Sequence, residues 1–134
     1  MTSEAPSELR QILEGFETAV LMTHCEDDPA KMHGRPMRIA ALDDQDRVWF
    51  FAAIDSDKVR EALAHDDAYV VCQSKQIQAV LHGRLSVTQD RDRIRELWID
   101  QEDAFFREGR NDPRVCLLCF SAGDGDYWTD GVSA

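Results

Sequence analysis

Apolar positions along the chain fall mostly into short runs of strand length, separated by polar clusters, with helical spacing in only a few places. Ser7 followed by Leu9, Ile12, Leu13 and Phe16 predicts a capped N-terminal helix over about residues 7–16, with Gly15 near its stop. Residues 18–24 read as a first strand, and the polar stretch 25–31 as a turn. Residues 35–42 predict a second strand, joined through Asp43-Asp44-Gln45-Asp46 to a third over 47–53. Ser56 reads as the cap of a short helix with Val59, Ala62 and Leu63 on its apolar side. Residues 68–73 and 76–88 follow as strands, and Asp90 opens a helix in which Ile94, Leu97 and Trp98 recur at helical spacing. Residues 114–122 predict the last long strand. Gly123-Asp124-Gly125 reads as a turn, and Tyr127-Trp128 as a short final strand.

Strands arriving as hairpins, with two or three helices between them, predict an antiparallel sheet and a mainly β fold. Val48-Trp49-Phe50-Phe51-Ala52-Ala53 is apolar on both faces. One face fills a barrel, and the other has to be covered by a helix or by a second subunit. A small β-barrel that dimerises satisfies both.

Composition narrows the classes. The chain has 134 residues, which suits one domain spanning 1–134. With 26 Asp and Glu against 15 Lys and Arg, its net charge of −11 repels phosphate backbones, so no nucleic-acid partner is expected. Apolar residues make up 43% of the chain, enough to argue against disorder. No apolar run approaches the roughly 20 residues that span a bilayer, so no membrane partner is expected either. The start, Met1-Thr-Ser-Glu-Ala-Pro6, has neither the basic nor the apolar part of a secretory signal. A cytoplasmic setting with reduced thiols at Cys25, Cys72, Cys116 and Cys119 is therefore expected.

The common catalytic signatures, the P-loop, the G-x-S-x-G elbow and H-E-x-x-H, are absent. Cys116 and Cys119, three apart in a strand, point to opposite faces and cannot converge on one ion. His24-Cys25 reads as a strand end, so no metal is expected. Lys58 is one of three lysines, and it stands in the first turn of a helix, where the dipole favours an anion. A bound phosphate explains it; a solvated lysine on an ordinary capped helix does so too. Arg35 brings a five-donor fork to a strand start beside Pro36 and Met37. Gln76, Gln78, Val80 and His82 alternate with Ile77, Ala79 and Leu81, giving either amides suited to a heterocycle edge or simply a wet sheet face.

In order, Arg35-Pro36-Met37, Trp49-Phe50-Phe51-Ala52 and Ser56-Asp57-Lys58 resemble the flavin-binding split barrels related to pyridoxamine 5′-phosphate oxidase. Leu81-His82-Gly83-Arg84-Leu85, Asp90-Arg91, Leu97-Trp98, Phe105-Phe106, Asp112-Pro113 and Tyr127-Trp128 bring it close to the general stress protein 26 branch. The resemblance implies a six- to seven-stranded antiparallel split β-barrel, homodimeric, with FMN at the subunit interface. It implies that Arg35 and Lys58 contact the phosphate, with Ser56 assisting. It places Pro36, Met37, Arg38, Phe51 and Ala52 along the isoalloxazine, Gln78 near the ring, and Trp128 as a closure from the partner subunit.

The chain also departs from the oxidases. Ala52 replaces a common threonine, Asp57 a second basic residue, and the segment that holds pyridoxine phosphate is missing. Vitamin B6 oxidation is therefore not expected. A flavin-dependent oxidoreductase of unknown substrate is the leading expectation, with His33 and His82 the only side chains offered for proton transfer. A non-enzymatic flavin-binding stress or buffering protein and a cofactor-free dimeric interaction module are the alternatives.

Overall fold

The computed structural model describes residues 10–129. Residues 10–13 are helical and bury Ile12 and Leu13; Ser7 and Leu9, read as the cap and first apolar position, lie outside the described residues. Seven strands follow: β1 (Thr18–His24), β2 (Met32–Arg38), β3 (Ala41–Leu42), β4 (Arg47–Ala53), β5 (Asp67–Gln73), β6 (Ile77–Thr88) and β7 (Val115–Thr129). Helix α1 (Asp57–Ala64) connects β4 to β5. Helix α2 (Arg91–Leu97) and two 3-10 turns, Asp100–Ala104 and Gly109–Asn111, connect β6 to β7.

Every pairing is antiparallel, in the order β2-β1-β5-β6-β7-β4-β3. β2 also comes up against β4 without pairing to it, so the sheet curls almost into a barrel and leaves a split between those two strands. This is the mainly β split-barrel architecture that the sequence predicts.

The predicted strand over 35–42 is two strands, because the chain changes partners. Up to Arg38 it pairs with β1; Ile39 N–H then donates to Glu17 O, Ala40 N–H to Trp49 O, and β3 runs along β4. Gly123-Asp124-Gly125 is no turn. It lies inside β7, where His82 pairs with Asp124 and Gly83 with Ala122, so Gly123 is the extra residue of a β-bulge. Tyr127-Trp128 is accordingly the continuation of β7, not a separate strand. Gly83 lets the ribbon close: a Cβ there would lie 2.1 Å from Ser121 O.

Alternation along β4 and β7 divides the core in two. Val48, Phe50, Cys116, Leu118 and Phe120 enter the barrel with Leu21, Val70 and Leu81. Trp49, Phe51, Val115, Leu117 and Cys119 face outward onto Ile94, Trp98 and Phe106. The outer face of β4 is thus covered by the chain's own 94–106 segment, leaving Trp49 and Phe51 6% and 8% exposed. A second subunit is not needed to bury them. On α1 the buried positions are Val59, Glu61 and Ala62; Leu63, expected on the apolar side, is 69% exposed. No described helix is long and apolar enough to cross a membrane.

Candidate functional site

Where β2 and β4 diverge, a cleft of about 540 Å³ opens, within the range of small-molecule and cofactor sites. β2 supplies Pro36, Met37 and Arg38; β4 supplies Phe51, Ala52 and Ala53; α1 supplies Lys58. The fourth wall comes from the 3-10 turn and the residues after it: Gln101, Glu102, Phe105 and Phe106. Six residues singled out from the sequence therefore meet in one cavity. The walls are mostly apolar, with charge confined to Arg38, Lys58 and Glu102.

Lys58 is half-buried, and among the described residues no carboxylate pairs with it. Burial pushes its pKa down, and the like charge of Arg35 pushes the same way. The neighbouring Asp57 pairs instead with Arg60. Ser56 does not cap α1 with its side chain: its hydroxyl turns back and donates to Ala53 O at 2.7 Å. The expected serine cap is corrected here, and its absence leaves first-turn N–H groups without that partner. Helix start, ammonium and neighbouring guanidinium together form a positive corner on an acidic protein.

Arg35 reaches this corner through its charge, while two of its five donors are engaged away from the cleft. One guanidinium nitrogen donates to Thr23 Oγ1 at 2.7 Å and another to Glu61 Oε1 at 3.1 Å. Glu61, 4% exposed, also accepts from the Thr23 hydroxyl at 2.5 Å and lies 2.6 Å from His33 Nδ1. Burial alone raises a carboxyl pKa, but these three partners outweigh it and hold Glu61 below its ordinary value. Arg38, in the cleft, pairs with Glu102, which is 7% exposed. Glu61, Thr23 and Glu102 were not singled out from the sequence. For Glu61 a signal existed, since it sits between Val59 and Ala62 on the buried side of α1.

Other expected site residues lie elsewhere. Gln78 does not line the cleft; its Nε2 donates to Ser74 O at 3.0 Å. Trp128 falls opposite Gln78 in the β6–β7 register, and its side chain lies outside the described residues. His82 belongs to a separate polar group: its Nε2 donates to Asp67 Oδ1, and Asp67 Oδ2 accepts from His24 Nε2 at 2.9 Å. The Cys72 and Cys116 thiols are pushed up to about 11 by burial.

Many solved structures share this fold, three of them as follows. A protein related to general stress protein 26 from Clostridium acetobutylicum is 19% identical, covering 96% of this chain and 91% of that one, with a TM-score of 0.78. General stress protein 26 of Bacillus anthracis is 18% identical over 93% and 94%, with a TM-score of 0.79. The general stress FMN/FAD binding protein of Xanthomonas citri is 21% identical over 100% and 94%, with a TM-score of 0.77. No curated relative matches the sequence. The family model described as pyridoxamine 5′-phosphate oxidase like matches residues 4–134. With nearly the whole sequence inside that match and the split barrel in place, the chain belongs to the pyridoxamine 5′-phosphate oxidase-like family.

Proposed function

We propose that the cleft binds FMN and that the protein is a flavin-dependent oxidoreductase of the general stress type, working as a homodimer. The observation that carries this reading is Lys58: a half-buried ammonium with no described carboxylate partner, beside Arg35, at a helix start. An ammonium without a described carboxylate partner, in the field of a neighbouring guanidinium, calls for an anion, and a phosphate supplies nearly two negative charges. In this reading Lys58 and the first turn of α1 hold the phosphate, with Ser56 at its edge. Arg35 adds its field. The backbone of Pro36, Met37 and Arg38 and that of Phe51 and Ala52 line the isoalloxazine, with Gln78 and Trp128 of the long ribbon available to the dimer. When bound, the flavin supplies the hydride or electron chemistry, and the protein supplies orientation and exclusion of water.

One observation favours a second reading, a flavin holder without turnover. Among the described residues the only carboxylate lining the cleft, Glu102, is buried against Arg38, and no described histidine lines it. The visible spectrum of the purified protein, FMN and riboflavin titrations, and assay with reduced nicotinamide and an acceptor separate the readings. Tight FMN binding with turnover supports the oxidoreductase, and binding without turnover supports the holder. FMN bound no better than riboflavin overturns the phosphate site. A monomer at micromolar concentration with flavin present overturns the dimer.

A further inference from the structure

We propose that Cys25, His33 and Glu61 form a binding site for a borderline-soft divalent cation of the zinc type. The three come from different parts of the chain: Cys25 directly follows β1, His33 is on β2, and Glu61 is on α1. Their Sγ, ring nitrogen and carboxylate oxygen all lie within 4.8 Å of one another. One thiol, one imidazole and one carboxylate is a donor set that suits zinc, and that hard cations such as magnesium disfavour.

The geometry is close to what a tetrahedral ion needs. Bonds of about 2.3 Å to sulfur and about 2.0–2.1 Å to nitrogen and oxygen set donor spacings of roughly 3.3–3.6 Å. The widest-spaced donors therefore draw in by up to about 1.5 Å, while His33 Nδ1 and Glu61 Oε2, now 2.6 Å apart, open by about 0.7 Å. The His33 side chain, 56% exposed, has room for that movement. Glu61 does not need it. Thr23 and Arg35 both hold its Oε1, which leaves Oε2 turned toward His33, and outer partners of this kind orient ligating carboxylates in metal sites. The β1–β2 register sets Thr23 opposite His33, and Cys25 N–H donates to Lys31 O at 2.9 Å, so the backbone on both sides is fixed. Three protein donors on a half-open surface leave the fourth position to water.

The proton balance is simple. The ion displaces the thiol proton and takes the place of the hydrogen bond between His33 and Glu61; a neutral imidazole keeps its proton on the other ring nitrogen, so the thiol supplies the proton that is released. The sequence reading expects no metal because His24-Cys25 reads as a strand end and Cys116 and Cys119 point to opposite faces; only the fold brings His33 and Glu61 to Cys25.

The test uses the full-length, untagged, chelator-treated protein titrated with cobalt(II) and then zinc(II). We expect one equivalent bound, visible bands of four-coordinate cobalt, a near-ultraviolet thiolate-to-cobalt charge-transfer band, and bleaching of both by zinc. Cys25→Ser abolishes the charge-transfer band. It and His33→Ala each weaken binding by about tenfold or more, with unchanged circular dichroism. His65→Ala, an imidazole outside the cluster, changes neither. No charge-transfer band in the parent, its persistence in Cys25→Ser, or binding that survives both substitutions overturns the site and leaves an ion-pair network. None of these readouts uses flavin, so they stand apart from the cofactor reading.

Discussion

Arg35 donates to Glu61 Oε1 at 3.1 Å, so the guanidinium whose charge is felt at Lys58 is also the internal partner of a buried carboxylate. Its two jobs separate it from Lys58, which has no such partner. Lys58→Ala should weaken FMN binding by roughly tenfold to a hundredfold, leave riboflavin binding nearly unchanged, and not lower the melting temperature of the flavin-free protein. Arg35→Ala should weaken FMN binding too, but it also strips a charged partner from Glu61 and should cost about 3 kcal/mol of stability. Parallel flavin titrations and thermal melts of the two variants check the split.

Asp43 should act as an acid-side stabiliser. It accepts from Trp49 Nε1 at 2.9 Å, Arg47 Nε at 2.7 Å, and the backbone N–H groups of Gln45 and Arg47. Burial works against ionisation, yet these donors overcome it and lower the pKa to about 2 from 3.8. A depressed carboxyl stabilises the fold above its unfolded value and loses that contribution as pH falls through the folded one. Asp43→Asn should therefore cost about 2 kcal/mol at neutral pH and almost nothing near pH 2, as measured by urea denaturation at both values.

His82 titrates in the opposite sense. Its hydrogen bond to Asp67 raises its pKa above 6.5 against a small opposing effect of burial. Its contribution is full below the unfolded value and fades as pH rises through the folded one. The ring is 41% exposed, so the effect on stability is only a few tenths of a kcal/mol. The measurement is the imidazole titration by NMR. Asp67→Asn should bring its midpoint down toward the ordinary value, and an unmoved midpoint would contradict the assignment.

The ribbon of β6 and β7 should not tolerate a side chain at Gly83, whose Cβ would meet backbone at Ser121 and Ala122. Gly83→Ala should destabilise by about 3 kcal/mol. Gly125→Ala should cost less, because the nearest obstacle, Leu81 Cδ2 at 2.7 Å, ends a flexible side chain. Denaturant midpoints of the two variants give the order.

What the sequence revealed follows from what local pattern encodes. The double-faced run of β4, the sparse lysine at Lys58 and the Arg35-Pro36-Met37 strand were legible because alternation, composition and order are local. The switch of partners at Ile39 and Ala40 was not, since the apolar run continues across it unbroken. Gly123 gave a turn signal that the fold uses as a bulge. Ser56 carried a cap signal that its hydroxyl does not honour. Glu61 and Glu102 were not singled out because their neutralising partners, Arg35 and Arg38, are distant in sequence.

Cys116 and Cys119 sit three apart on one strand yet belong to the inner and outer apolar clusters respectively. Each thiol is shielded until its own side of the sheet parts, so the pair behaves as two independent clocks on a single β-strand. A thiol reagent applied under native conditions would modify Cys119 when the 94–106 segment lifts and Cys116 only when the barrel itself breathes. The ratio of the two rates reports how far the loosening of one layer is decoupled from the opening of the other.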